Sequence, residues 1–257
     1  MGDFDTIQEE IDWARGCAER ASAIVDSYLE EDPFSKVIKI DPATGEHVHV
    51  IKMIDAPPNT IRHLVRNSVL DLKHAYDRSI YCAARRFGID SGTYPWADSR
   101  NGFKARIRKR LENPSTRLPN ALIKELLRQK PYATPPGPSD SPDLTREIAK
   151  MANGKHSIGI EIKPVITGLD HSRGLFVGGV SFRNQWDSVN KELEIFRHPS
   201  EAKVIPPQSK ITIDVVFEHT GALSTYEAFS LISQFADRAQ ACLEGFKRVC
   251  ASAGKLD

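Results

Sequence analysis

The sequence predicts an α+β fold in which long amphipathic helices pack on an antiparallel sheet. Three observations carry this prediction: an amphipathic helical pattern runs from Pro57 to Gly88, a β-hairpin pattern precedes it, and strand patterns between helical ones fill residues 157–219. Helices at both ends of a strand-rich region are typical of this class. We expect one domain over residues 1–257, with a helical part to about residue 154 and the sheet plus a C-terminal helix after it.

The segment from Pro57 to Gly88 is predicted to form one helix. Pro57 and Pro58 block helical backbone before it, Asn59 is a favourable N-cap residue, and Gly88 suits the left-handed position after a helix. Apolar residues recur within it at three- and four-residue steps, which predicts one buried stripe. The stripe consists of Ile61, Leu64, Val65, Val69, Leu72, Tyr76, Ile80, Ala83 and Phe87.

Two elements precede this helix. Apolar residues keep helical spacing from Asp5 to about Glu31, which predicts a first long helix. Val37–Ile40 and His47–Ile51 are rich in β-forming residues and are separated by the turn-forming residues 41–45, which predicts a β-hairpin.

Two histidines lie in the second strand of this hairpin. His47 and His49 alternate there with Val48 and Val50, so we expect one face of the strand to be polar. Two histidines at this spacing can ligate a metal ion, but the sequence specifies no third ligand near them. We therefore expect no metal and, because no cofactor-binding motif is present, no cofactor.

The remaining elements follow from the same patterns. A loop from Ile89 to Arg100 is expected to be anchored by Trp96. Residues 130–138 are proline-rich and predict an extended connecting arm, with a partner-binding proline segment as the alternative. Helices are predicted at Phe103–Leu111, Leu118–Gln129, Asp143–Ala152 and Thr225–Ala251, the last capped by Ser224 or Thr225, and strands at Ser157–Ile162, Gly174–Phe182, Glu192–Arg197 and Lys210–His219.

Composition limits the function classes. The 257 residues carry a formal net charge of +1 and are 40% hydrophobic, which argues against disorder and against a strongly basic nucleic-acid-binding protein. No apolar run reaches the length of a membrane span and the first residues are acidic, so we expect a cytoplasmic protein without a membrane partner. Cys17, Cys82, Cys242 and Cys250 lie far apart without a C-x-x-C pair, so buried reduced thiols are expected.

One short segment is strongly basic although the whole chain is nearly neutral. Lys104, Arg106, Arg108, Lys109 and Arg110 follow one another closely in a predicted helix. Such a run is typical of a solvated helix face, and a contact with RNA or DNA is the alternative.

The polar face of the long helix is a second candidate site. A stripe of this kind is typical of a solvated face, but two histidines with several cations can also bind an anion or move a proton. His63, Asn67, Asp71, His74 and Arg78 follow at helical steps, Lys73 and Asp77 form an i,i+4 pair, and Arg66 lies beside them.

Several enzyme classes lose support because their motifs are absent. The chain lacks a phosphate-binding loop, a dinucleotide-binding glycine motif after a strand, a nucleophile elbow and the H-E-x-x-H zinc motif. A Ser-His-Asp triad stays open, because its members meet only in space.

A fixed order of motifs runs along most of the chain: a hairpin with a D-x-x-T-G turn, a long helix, a Q-x-P-Y segment, and a helix ending in K-H before a strand. In this order the chain resembles a family of bacterial hypothetical proteins without an assigned activity. The family carries H-N-L-R-S-A-L-D-H on its long helix, aligned with Leu70–Arg78, and N-x-D-K-H-R after the later helix, aligned with Ala152–Ser157. The matching residues include Asp77, Gln129, Pro131, Tyr132, Lys155 and His156.

The departures from the family motifs bear on any site. Leu70 replaces the first histidine, Lys73 the arginine, Arg78 the final histidine, and Gly154 the aspartate of the second motif. Lysine keeps the charge of arginine but not its bidentate geometry. The resemblance therefore implies a shared fold, and if the family motifs form a catalytic centre, that centre is lost or altered here.

The long helix is also distantly similar to HEPN-type helical domains, many of which are metal-independent RNases. In those domains an R-x-x-x-x-H motif on one helix, commonly at a dimer interface, stabilises phosphate charge and moves a proton. Here Arg66 and His74 have seven residues between them, more than that pattern allows. They lie about 12 Å apart along the axis and about 80° apart around it.

Two function hypotheses follow, and whether the protein is an enzyme stays open. The first is a binding or interaction module with an anion site between the long helix and Lys155-His156. The second is an HEPN-like RNase, or a degenerate relative, in which His74 or His156 acts as general base. A homodimer and an RNA partner are compatible with both. The residues assigned to the anion site are Arg66, Lys73, Asp77, Arg78, Lys155 and His156.

Overall fold

The computed structural model describes residues 3–113, 117–132, 152, 158–170, 181–200, 208–218 and 227–255. It confirms an α+β fold with antiparallel strand pairing and an N-terminal β-hairpin. In chain order the elements are α1 (Asp3–Glu30), β1 (Phe34–Ile40), β2 (His47–Met53), α2 (Asn59–Arg86), α3 (Arg100–Glu112), α4 (Asn120–Gln129), β3 (Ile160–Asp170), β4 (Ser181–Asp187), β5 (Glu192–His198), β6 (Gln208–Phe217) and α5 (Ala228–Ser252).

The chain forms two compact units that do not follow chain order. The first, here the helical unit, contains residues 1–21, 62–160 and 217–257. The second, here the sheet unit, contains residues 22–61 and 161–216. The N-terminal hairpin thus belongs with the later strands, whereas α5 belongs with the earlier helices.

The long helix α2 agrees closely with its prediction. It begins at Asn59 and ends at Arg86, and the predicted apolar stripe is buried or half-buried along its whole length. Gly88 has φ +78° and its N–H donates to the Arg85 carbonyl at 2.9 Å. This left-handed backbone favours glycine, which explains why the helix stops there.

The core of the helical unit forms where the apolar faces of α1, α2 and α5 meet. Ser68 on α2 donates from Oγ to the Ala14 carbonyl on α1 at 2.9 Å. Tyr76 on α2 stacks on Phe235 of α5 with ring centroids 5.3 Å apart. Fully buried side chains of this unit include Ile7, Ile11, Leu72, Ile80, Phe103, Leu122, Phe235 and Phe246.

The start of α5 corrects one prediction. The expected caps were Ser224 or Thr225, but the helix begins at Ala228 and is capped by Glu227. The Glu227 carboxylate accepts from the Phe229 N–H at 2.9 Å and from the Ser230 N–H at 2.7 Å. A carboxylate satisfies two free N–H groups there and is favoured by the helix dipole.

The sheet unit contains a four-stranded antiparallel sheet in the order β1-β2-β5-β4 and a two-stranded sheet of β3 and β6. The hairpin pairs Phe34 with Met53 and Ile40 with His47. One face of the larger sheet is apolar and packs against side chains of β3 and β6. Its core consists of Ile51, Leu193, Ile195 and Phe196, with Phe34, Ile166, Trp186 and Ile211 around it.

The expectation of a polar face on β2 was wrong. His49 is only 7% exposed and stacks on Phe196 with ring centroids 4.1 Å apart, while His47 is half-buried. The alternation failed as a guide because the His face of β2 lies on the packed side of the sheet. Val48 and Val50, on the opposite face, are also buried.

Several predictions fall outside the described residues. These are the arm beyond Tyr132, the helix Asp143–Ala152 apart from Ala152, most of the strand Gly174–Phe182, and the Lys155-His156 step. Within the described residues, every helix is too short or too polar to cross a membrane. Cys17, Cys82, Cys242 and Cys250 are buried free thiols, as expected.

Candidate nucleic-acid interface

The predicted Lys73–Asp77 pair exists on α2 and is part of a structural contact. Lys73 Nζ lies 2.7 Å from Asp77 Oδ2, and both side chains are largely buried. Asp77 Oδ1 accepts from the backbone N–H of Tyr94 at 2.8 Å. Asp77 therefore fixes the loop after α2, and its charge compensates that of Lys73.

The other cations assigned to α2 are either paired or exposed. Arg78 forms an ion pair with Glu10 of α1. Arg66 and His74 are exposed. Burial raises the pKa of the half-buried Asp71, although the nearby His74 opposes this shift. Lys155 and His156 lie outside the described residues, so the predicted meeting of the two segments stays a prediction.

The Q-x-P-Y segment of the family resemblance forms a structural junction in the helical unit. Gln129 accepts from Tyr94 Oη at 2.9 Å and donates to Glu125 Oε1 at 2.7 Å. The Pro131 carbonyl accepts from the Ala97 N–H at 2.8 Å. These bonds join the end of α4 to the loop after α2. This structural role explains the residues of the Q-x-P-Y segment, and no bound ligand is needed to explain them.

The basic side chains of α3 are arranged differently from those of α2. Its N-cap Ser99 accepts from the Gly102 N–H at 3.1 Å, and Phe103 and Ile107 bury its apolar face. Arg106 donates to the Trp96 carbonyl, and Arg110 donates to the Thr93 carbonyl at 2.7 Å. The helix is therefore held by two apolar and two arginine contacts, which leaves its other basic side chains facing solvent.

Four cations on α3 form an exposed basic surface, here called the α3 surface. The helix has six basic residues and one acidic residue, a net charge of +5. Within the described part of the chain, the four exposed cations have no carboxylate partner. Arg100, Lys104 and Arg108 recur every four residues, so successive members lie about 6 Å apart along the axis and about 40° apart around it, and Lys109 lies about 100° beyond Arg108. The α3 surface consists of Arg100, Lys104, Arg108 and Lys109.

The environment of Arg110 shows how densely α3 is charged. Burial lowers the pKa of its guanidinium, and the nearby Arg106 charge lowers it further, while Asp77 opposes the shift. Arginine remains protonated despite such shifts because its ordinary pKa is so high. A positive potential over this helix favours approach of an anion.

The sheet unit contains a second charged feature, an open cleft of about 490 Å³ on the solvent face of the larger sheet. Its cations are largely paired: Lys39 lies 2.5 Å from Glu192, and Arg197 lies 2.6 Å from Glu194 and 2.7 Å from Asp41. These pairs cancel most of the charge inside the cleft. It is therefore a weaker anion site than the α3 surface.

His198 is a neighbour of the hairpin histidines that the sequence could not reveal. His49 Nε2 lies 3.1 Å from His198 Nε2, and His198 Nδ1 donates to the Pro199 carbonyl at 2.8 Å. In the neutral His198 ring, Nε2 is then the acceptor and His49 Nε2 the donor. Burial and the nearby His198 and His47 lower the pKa of His49 to about 4. Among the described residues, no group of three or more histidine, cysteine or acidic side chains is placed to hold a metal ion.

No family model, no curated protein and no solved structure matches the chain. The candidate residues therefore rest on geometry. Arg100 was not among the basic residues singled out from sequence, although its four-residue spacing to Lys104 and Arg108 is a signal that could have found it.

Proposed function

We propose that this protein is a nucleic-acid-binding module that holds the phosphate backbone of RNA on the α3 surface. The observation that supports the proposal is the four exposed cations without a carboxylate partner in the described part of the chain. Lysine and arginine contacts to phosphates supply most of sequence-independent nucleic-acid affinity. On α2, in contrast, Lys73 and Arg78 already have carboxylate partners.

The burial pattern of α3 favours a nucleic acid over a lipid surface. A membrane-binding amphipathic helix inserts an apolar face between lipids. The apolar face of α3 is occupied, because Phe103 is 1% and Ile107 is 7% exposed in the protein core. What α3 offers to a partner is charge, which matches a flexible polyanion.

The proposal concerns binding without cleavage, in the cytoplasm. A base and an unpaired cation around one phosphate are needed for an RNase. The cations next to His74, Lys73 and Arg78, are compensated by carboxylates. Buried free thiols suit a reducing compartment.

Fluorescence anisotropy with a labelled single-stranded RNA of mixed sequence tests the proposal. The variant Lys104→Gln/Arg108→Gln/Lys109→Gln removes three charges from the α3 surface. The control Lys52→Gln/Lys124→Gln/Lys255→Gln removes three exposed charges outside α3 and β1. We expect the first variant to lose about tenfold or more in affinity, and its dependence of log K on log salt to become shallower by about 2, since each lost contact contributes about 0.7.

The control variant should bind within about twofold of the wild type. If both variants lost RNA affinity equally, binding would depend on net charge alone, and the α3 surface would not be the binding site. An unlabelled DNA of the same sequence, used as competitor, shows whether the sugar matters. Wild type that fails to bind RNA at low salt would overturn the proposed function itself.

A further inference from the structure

Strand β1 is an edge of the four-stranded sheet. It pairs with β2 on one side, and no strand of the described residues pairs with its other side. The strand contains seven residues without proline or acidic side chains. Ile38 is 58% and Ile40 is 67% exposed, and both lie on the same face of the strand. The unpaired N–H and C=O groups of an edge strand are a template for pairing with another chain.

Two hydrogen bonds that flank the strand show which backbone groups point outward. The Ile54 N–H donates to the Pro33 carbonyl at 2.9 Å, and the Asp41 N–H donates to the Glu46 carbonyl at 2.9 Å. Hydrogen-bonded and non-hydrogen-bonded pairs alternate along an antiparallel ladder. Odd-numbered residues of β1 therefore bond to β2, and even-numbered residues direct their N–H and C=O groups away from it. Ile38 lies near the centre of this free edge.

We propose that a second copy of the chain pairs with this edge, antiparallel, with Ile38 opposite Ile38 on a two-fold axis. The two sheets would then form one sheet of eight strands. Lys36 of each copy lies opposite Ile40 of the other, so that the aliphatic stem of the lysine covers the isoleucine. The opposed pairs are Lys36 with Ile40, Ile38 with Ile38, and Ile40 with Lys36. Each pair exchanges two backbone hydrogen bonds.

The charges of β1 are compatible with this self-pairing. In a two-fold antiparallel pair, a residue faces a residue of the same parity, because opposed side chains share one face of the sheet. Lys36 and Lys39 have opposite parity, so they never face each other. In the register centred on Ile38, Lys39 faces Val37, and no two lysines are directly opposed. Both lysines thus fit beside a second copy without like-charge repulsion across the pair.

The size of this contact determines its strength. Pairing along one strand in each copy falls at the low end of interface sizes, below roughly 1,200 Å². We therefore expect a dimer that dissociates on dilution. The contact lies in the sheet unit and uses no residue of the α3 surface, so its test is independent of RNA binding.

Disulfide crosslinking tests the register. A hydrogen-bonded pair on the axis has Cα atoms about 5.5 Å apart, within the range that a disulfide bridges. Ile38→Cys should give a covalent dimer with glutathione disulfide at least tenfold faster than Ile40→Cys. In Ile40→Cys, the two introduced thiols lie four residues apart along the strands, about 13 Å. The four native cysteines are buried, so the wild-type protein should form no crosslink and serves as the negative control.

Sedimentation velocity tests the pairing without a crosslink. Ile38→Pro removes an outward N–H that the hairpin does not use, and proline is tolerated at such edge positions. We expect it to remain monomeric at concentrations where wild type dimerises, with an unchanged circular dichroism spectrum. If Ile38→Pro fails to fold, Ile38→Lys serves the same purpose, because it places two charges face to face on the axis.

Three results would overturn the proposal. Wild type could remain monomeric at its highest soluble concentration, Ile40→Cys could crosslink as fast as Ile38→Cys, or folded Ile38→Pro and Ile38→Lys could both still dimerise. The first result leaves the edge to a different partner, and the other two place a dimer contact elsewhere.

Discussion

The carboxylate of Glu125 on α4 lies directly against the α-carbon of Gly245 on α5. A side chain at position 245 would occupy the space of Glu125 Oε1. That carboxylate is bound by Arg128 at 2.5 Å and by Gln129 at 2.7 Å, which lowers its pKa despite the opposing effect of burial. Gly245 is therefore the residue that permits a buried, hydrogen-bonded glutamate between two helices.

Gly245→Ala should destabilise the protein. Overpacking of this kind costs about 1–3 kcal/mol, partly offset by the better helix propensity of alanine, about 1 kcal/mol. We expect a lower urea midpoint. The matched control is Gly16→Ala on α1, where an added Cβ meets no atom within 4 Å and should raise stability. Equal shifts of the urea midpoint in Gly245→Ala and Gly16→Ala would contradict a close contact between Gly245 and Glu125.

Asp77→Ala should also lower stability. The substitution leaves the Tyr94 N–H and the Lys73 ammonium without their acceptor, which costs about 1–3 kcal/mol. Asp77→Asn keeps an acceptor for Tyr94 and should cost less. Asp90→Ala removes an exposed carboxylate that binds Tyr81 at 2.8 Å and should stay within about 0.5 kcal/mol of wild type. Chemical denaturation at pH 7 measures all three, and similar values for Asp77→Ala and Asp90→Ala would argue against the role of Asp77.

Acid should destabilise the sheet unit through His49. Its pKa is about 4 in the folded protein and about 6.5 when exposed, so the unfolded state binds more protons between these values. Stability is thus fully present above pH 6.5 and falls towards pH 4, by at most about 3 kcal/mol. His49→Gln should flatten the fall in unfolding free energy from pH 7 to 4.

The exposed His63 supplies the control for this pH effect. His63→Gln should retain the wild-type slope of unfolding free energy against pH. The titrating groups that face His49 are His47 and His198, on β2 and β5. His198→Gln should therefore also change the slope. An unchanged slope in His49→Gln would show that the buried pair does not set the acid sensitivity.

The salt dependence of RNA binding should distinguish the α3 surface from the anion site that the sequence predicted on α2. If the α3 surface holds RNA, Arg66→Gln on α2 should leave affinity within about twofold, whereas Arg108→Gln should reduce it and lower the salt slope by about 0.7. The measurement is anisotropy across a salt series. A larger loss of RNA affinity in Arg66→Gln than in Arg108→Gln would place the binding site on α2.

Local patterns determined the elements of this protein. The apolar stripe of α2, its glycine stop at Gly88 and the turn between β1 and β2 appear in the structure close to their predicted places. Each depends on neighbours within a few residues along the chain, and such short-range chemistry is readable in sequence. The charge run of α3 was equally visible, and so was the Lys73–Asp77 pair.

Tertiary packing decided what these elements do. Sequence spacing could not show that His49 lies against His198, that Gly245 makes room for Glu125, or that the hairpin belongs with strands more than a hundred residues later. Nor could it tell that Arg78 is paired with Glu10 while Lys104 faces solvent. These outcomes depend on which surfaces bury each other, and the energy of burial is set by partners distant in the chain.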